Sequence, residues 1–281
     1  LGEERILDRL ENILHLAEDF EGVDGLDEPM PVKPGQHYHM GGIECDENGH
    51  TCVDGLYAAG EAACVSLHGA NRLGGNALPE LLVFGARAGK HAAGGDMAAA
   101  RIDTGPSARS EAGEFDSPVD PGALSGSDED VAADGGAVAD PDTVLEDAVG
   151  RERERVETLL ESDGINHAEV RAEVQETMTE NVNVFREEGA LKRALEDLKQ
   201  AREDYQDVAV ADPSRTFNTD LIHTIETRNV IDVAEAITIG ALAREEFRGA
   251  HWRKEHQERK DDEWIKHTML AWNGGDPELY Y

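Results

Sequence analysis

The sequence predicts a glycine-rich α/β segment followed, after residue 150, by an all-α three-helix bundle. Two observations carry this. Eight glycines crowd between residues 37 and 78 around short apolar runs, the pattern of strand ends where a backbone must turn sharply or admit a flat ligand. After residue 150 apolar residues recur every three or four positions, the period of helices that share a core.

Residues 1 to 20 place Ile6, Leu10, Ile13, Leu14 and Ala17 at helical spacing among acidic residues, so an amphipathic helix opens the chain. Pro29, Pro31 and Pro34 keep the next segment extended, because each disfavours helix at the residue before it. From Gly41 to Gly60 the expectation is two short strands around the turn Glu47-Asn48-Gly49, then a third strand, Leu56 to Ala59. Asn76 is placed to cap a helix from about Ala77 to Lys90, with Pro79 tolerated in its first turn. Residues 96 to 150 are rich in Gly, Ser, Asp, Ala and Pro and read as a flexible acidic linker. Beyond it, Asn166 with Glu169 suggests a capping box before Val170, Val174, Met178, Val182 and Phe185. Leu191, Leu195, Leu198 and Tyr205 mark a second helix, and Leu221, Ile225, Ala234, Ile237 and Ala241 a third. These stripes are core and carry no chemistry.

Composition narrows the function. Sixty acidic residues face 26 basic ones, of which seven are Lys, for a formal net charge of -34. Such a surface repels nucleic acid and anionic membranes. It is what a protein from a very salty cytoplasm would carry, because at about 1 M salt the Debye length falls to roughly 3 Å. Three cysteines, Cys45, Cys52 and Cys64, without a Cys-x-x-Cys, argue for a reducing compartment. His37 and His39 with Cys45 or Cys52 match no usual zinc spacing. No apolar run approaches the roughly 18 residues that span a bilayer.

The chemistry-bearing residues lie in the glycine-rich segment. Arg72 has small residues close by on both sides, so its planar fork can reach into a cleft and hold a carboxylate or phosphate through two parallel N–H groups. His37 could complete the clamp from another loop. Glu61 ends the third strand, and alone it would read as a solvated turn carboxylate.

Three motifs in order carry a resemblance: Pro31-Val32-Lys33-Pro34 through His37-Tyr38-His39-Met40-Gly41-Gly42-Ile43, then Gly55 to Cys64, then His68-Gly69-Ala70-Asn71-Arg72-Leu73-Gly74-Gly75-Asn76. Together they resemble the flavoprotein subunit of succinate dehydrogenase and fumarate reductase. The likeness resumes at Phe217-Asn218-Thr219-Asp220-Leu221, Arg248-Gly249-Ala250-His251 and Asp261 to Thr268.

The resemblance implies a fold and a site. Residues 1–28 would end a capping domain, 29–95 would be the C-terminal part of an FAD-binding domain, 96–150 the linker, and 151–281 the helical C-terminal domain. Arg72 would clamp one carboxylate of succinate or fumarate and His37 the other end. Glu61 would bind the ribose of FAD, and Asn76, Ala77 and Leu78 would meet the flavin through backbone amides; the family has Asn-Ser-Leu there. The positive end of that helix would favour reduced flavin. His251 and His267 would serve packing of the tail onto the flavin domain. The family's Gly-x-Gly-x-x-Gly unit, covalent flavin histidine and proton-shuttle arginine find no match, so a fragment is expected.

The implied activity is oxidation of succinate to fumarate, with electrons passing from FAD to an iron-sulfur subunit and quinone in the tricarboxylic acid cycle. Membrane-anchor subunits would hold the complex at the cytoplasmic face of the cell membrane. Fumarate reductase is the same chemistry reversed. L-aspartate oxidase shares His-Gly-Ala-Asn-Arg, but Ala62-Ala63-Cys64-Val65-Ser66 and Leu73-Gly74-Gly75-Asn76 look like the dehydrogenase. A non-enzymatic remnant or assembly module is the alternative of a different class; the intact His37, Glu61 and Arg72 speak against it.

Overall fold

The computed structural model describes residues 2–32, 35–94, 141–272 and 276–281. The chain forms two compact units, Leu1–His37 and Tyr38–Tyr281.

The first unit is built on helix α1, Glu3–Glu21. Gly22 ends it in the left-handed conformation (φ 66°), where a glycine carries no Cβ penalty, and its N–H donates to the Glu18 carbonyl at 3.0 Å. The expected amphipathic period is present, although Leu10 breaks the helical backbone with φ −128°. Asp24 then caps a turn by accepting the Leu26 N–H at 3.0 Å.

The second unit begins with a parallel pair, β1 (Ile43–Glu44) and β2 (Ala63–Cys64), in the register Ile43 to Ala63 and Glu44 to Cys64. Gly42 enters β1 at φ 124°, and a Cβ there would collide with the Ala62 carbonyl. The expected turn at Glu47-Asn48-Gly49 forms: the Gly49 N–H donates to the Asp46 carbonyl at 2.9 Å, the Asp46 N–H to the His50 carbonyl at 3.0 Å, and Gly49 takes φ 75°. Asp46 also accepts the Asn48 and His50 N–H groups on one carboxylate oxygen, at 2.8 and 3.0 Å, and no second strand follows the turn. The chain reverses again at Val53 to Leu56, and the expected strand Leu56 to Ala59 reduces to one antiparallel bridge between His50 and Tyr57.

Helix α2, Ala77–Gly94, starts where Asn76 was placed as its cap, and the Glu80 N–H donates to the Asn76 carbonyl at 3.2 Å. Of the expected linker, residues 96 to 140 lie outside the described residues. Residues 141 to 150 are helical and belong to α3, Pro141–Glu161.

The bundle consists of α4 (His167–Asn181), α5 (Glu188–Asp204) and α6 (Thr219–Ala243). Its edge is closed by a parallel pair, β3 (Ile165–Asn166) with β4 (Val208–Ala209). Asn166 caps α4 by accepting the Ala168 N–H at 2.8 Å, and Asn218 caps α6 by accepting that of Leu221 at 2.8 Å. Val170, Val174, Leu198, Ala201, Tyr205, Val208, Ile231 and Ala234 form the core, continued by Val182, Leu191, Ala194 and Ala241. Phe185 departs from expectation: α4 ends at Asn181, and Phe185 is 78% exposed, edge-on to Trp252. A short helix α7 (Asp261–Trp264) and an antiparallel pair, β5 (Met269–Ala271) with β6 (Glu278–Tyr280), complete the unit. Among the described residues no helix is long and apolar enough to cross a membrane.

Candidate active site

The site grows from the loop between β2 and α2. Ser66 takes φ 64°, Gly69 φ 54° and Gly75 φ 84°, so the backbone turns repeatedly over ten residues. A turn closes from the Asn71 N–H to the His68 carbonyl at 3.2 Å, bringing His68 and Arg72 to one side.

There they meet Tyr38. The Arg72 guanidinium carbon lies 4.5 Å from the centroid of the Tyr38 ring, and His68 meets the same ring edge-on, 5.4 Å between centroids at 87°. Burial raises the Tyr38 phenol above its ordinary value, and the carboxylates of Glu80 and Glu61 add to the rise against the opposing pull of Arg72. Tyr38 therefore stays a neutral hydrogen-bonding group beside a cation.

Among the described residues, three of the six buried side-chain atoms lacking a hydrogen-bond partner belong to this cluster: Arg72 Nε, His68 Nε2 and Glu80 Oε2. A buried polar atom without a partner is costly, by about 1 to 3 kcal/mol. Three together, one a guanidinium nitrogen, fit a place that an external polar group completes. Glu80 is 3% exposed, and with Leu67, Asn76, Pro79, Val83 and Phe84 it lines a cavity of about 210 Å³ at the head of α2. That is smaller than a typical cofactor pocket of about 300 to 1,000 Å³, so these residues form one wall.

Glu61 is exposed, in the short turn after Gly60, and its Oε1 accepts the His39 N–H at 2.8 Å. That bond fixes the carboxylate while its other oxygen can accept from a sugar hydroxyl. Asn76 and Ala77 are half-buried and Leu78 is 71% exposed, at the first turn of an 18-residue helix. First-turn amides point free of the helix ladder and suit an electron-rich ligand. Pro79 has no N–H to offer, which leaves Ala77 and Leu78 as the donors. His37 is the exposed last residue of the first unit, whereas Arg72, Glu61 and Asn76 all belong to the second.

Burial pushes the Cys45 thiol up to about 11, and the thiolate is the reactive form.

Residues 1–78 match the model of an FAD-binding domain, and residues 171–281 match that of the fumarate reductase flavoprotein C-terminal domain. This chain belongs to the flavoprotein-subunit family of fumarate reductases and succinate dehydrogenases. It is 36% identical to the fumarate reductase flavoprotein subunit of Haemophilus influenzae over its whole length, covering 41% of that protein. It is 37% identical to the succinate dehydrogenase flavoprotein subunit of Coxiella burnetii, over 98% of this chain and 42% of that one. The fold matches the quinol fumarate reductase of Escherichia coli with a TM-score of 0.79 at 35% identity, across all of this chain and 42% of that one. The chain thus spans about two fifths of the length of these relatives.

Membership supports the fold class, an FAD-binding domain fragment followed by a helical C-terminal domain, and FAD as cofactor. The orphaned polar atoms and the free first turn of α2 fit one wall of such a site. Sequence reasoning singled out Arg72 but passed over Tyr38, His68 and Glu80. Tyr38 and His68 stand inside the quoted motifs, so position was the available signal. Glu80 resembled an ordinary first-turn acid and gave none.

Proposed function

We propose that the complete protein interconverts succinate and fumarate as the flavoprotein subunit of a membrane-associated complex, with succinate oxidation as the first reading and fumarate reduction as the alternative. The observation that supports it is the Arg72 guanidinium held against Tyr38, beside two further buried polar atoms without hydrogen-bond partners, His68 Nε2 and Glu80 Oε2. A flat cation braced on an aromatic face presents its remaining N–H groups at a set angle, which suits a carboxylate.

Arg72 holds one carboxylate of the dicarboxylate and His37 donates to the other end. Tyr38 and His68 fix the plane of Arg72, so that the carbon bearing the leaving hydrogen is presented in one orientation. Glu61 accepts from the ribose of FAD, and the Ala77 and Leu78 amides stabilise negative charge at the flavin. FAD, when bound, supplies the redox chemistry by accepting the hydride. The same clamp serves fumarate reduction, because direction depends on redox potentials set outside it. Electrons leave through an iron-sulfur subunit and membrane-anchor subunits, and attachment to the membrane is peripheral.

Anaerobic mixing of the complete protein with substrate tests this reading. Succinate bleaches the oxidised-flavin absorbance, or fumarate restores it after reduction. Bleaching by L-aspartate and not by succinate would assign the protein to the aspartate oxidases instead.

A further inference from the structure

We propose that the C-terminal tail, residues 244–268, is a positioning element for the substrate loop, fastening it at two points on either side of His68. This inference rests on the reading that Arg72 faces the dicarboxylate. The first fastening joins Ser66 Oγ to His267 Nε2 at 2.8 Å, across 201 residues of sequence. Ser66 is a non-glycine residue in the left-handed region, φ 64°, a conformation that persists only where the surroundings hold it. The second runs from the Ala250 N–H to the Ala70 carbonyl at 2.9 Å. Gly249, at φ 57°, makes that approach possible, since a Cβ there would stand 2.6 Å from the Ala70 carbonyl carbon and oxygen.

Both fastenings spring from one rigid support. Glu246 is fully buried and takes Arg248 on both oxygens, at 2.6 and 2.9 Å, with Arg244 Nε at 3.0 Å and the Lys260 N–H at 3.1 Å. Arg248 is thereby fixed beside Gly249, and its N–H and carbonyl close a turn with His251 at 3.1 and 3.0 Å. Arg244 reaches the other fastening, donating to the Lys266 carbonyl at 3.0 Å and to Thr268 Oγ1 at 3.2 Å, the two neighbours of His267. One buried carboxylate and two guanidinium groups therefore hold both tail contacts in register. Between those contacts runs the loop that turns at His68 and delivers Arg72 to Tyr38. The chemistry needs Arg72 placed to within a fraction of an ångström, because a shift of about 1 Å can cost roughly a hundredfold in rate.

The test uses the complete protein and malonate, a non-reacting dicarboxylate, read through its perturbation of the flavin spectrum. His267→Ala and Gly249→Ala are each expected to weaken malonate binding and lower kcat/KM for succinate by about tenfold or more. His267→Gln, which can still bond Ser66, should return to within about threefold of the parent. Flavin content and unfolding midpoint of His267→Ala should match the parent. Parental malonate affinity in a folded His267→Ala would overturn the proposal, and so would a loss that His267→Gln fails to restore. If Gly249→Ala does not fold, the His267 pair decides alone. Arg72→Lys is measured alongside: if it too leaves malonate binding unchanged, the reading of Arg72 has failed, and if it abolishes binding while His267→Ala does not, only the positioning role has.

Discussion

The Arg72 guanidinium stacks on the face of Tyr38, 4.5 Å from guanidinium carbon to ring centroid. Such a contact is worth about 0.5 to 1 kcal/mol where exposed and about 2 where water is excluded. What it fixes is orientation, because the ring lets the guanidinium slide but not tilt.

That relationship separates two substitutions at one position. Tyr38→Phe keeps the ring face and should hold succinate kcat/KM within about threefold of the parent, whereas Tyr38→Leu removes the face and should lose about tenfold or more. Steady-state kinetics of the two variants at matched flavin content decide between a stacking role and one that needs the hydroxyl, in which case Tyr38→Phe would lose about as much as Tyr38→Leu.

The acidic surface is read as a salt adaptation, on the strength of the formal net charge of -34. Screening of that self-repulsion should raise the thermal unfolding midpoint steadily from dilute buffer to about 2 M KCl. A flat or falling midpoint would end the reading.

His251 gives the tail a pH dependence. Its Nε2 sits 3.0 Å from the Arg244 carbonyl and its Nδ1 3.4 Å from Arg186 Nη1, an arrangement for the neutral ring that donates at one nitrogen and accepts at the other. Burial, with the charges of Arg186, Arg244 and Arg253, lowers its pKa to about 4. The unfolded chain takes up this proton near pH 6.5, the folded chain only near 4, so acidification through that window favours unfolding. The unfolding midpoint should therefore fall between about pH 6.5 and 4 more steeply in the parent than in His251→Gln. Parallel curves would remove His251 as the cause.

How much of this was legible in the sequence depended on the kind of signal. Asn166 and Asn218 stand at helix starts because an Asx side chain can satisfy a first-turn amide, Asn76 stands at the start of α2 with its carbonyl accepting the Glu80 N–H, and a local rule finds Asn76 and Asn166 directly. The buried face of α6 was only partly visible, since it is written largely in threonines: Thr224, Thr227 and Thr238 are fully buried, and each hydroxyl donates to the carbonyl four residues back. Leu221 and Ile225 stood out by hydropathy yet are only half-buried. The turn at Asn48-Gly49 was legible from its residues, whereas the absence of a strand after it was not, since the rule counts turn residues and does not see that the Asp46 carboxylate takes the His50 N–H. In the site, Arg72 was visible from its motif. Glu80 became visible only once burial was known, since its chemistry lies in being enclosed.

Succinate turnover per flavin in Arg72→Lys of the complete protein tests the central claim, that Arg72 holds the substrate by geometry as well as by charge. Lysine keeps the charge but is a point donor on a flexible stem, without the planar fork or the flat face that lies on Tyr38. The account predicts a fall of at least about a hundredfold with flavin content unchanged, and a smaller loss for His37→Gln, which keeps a donor. Turnover of Arg72→Lys within about threefold of the parent would contradict it and return Arg72 to a structural role.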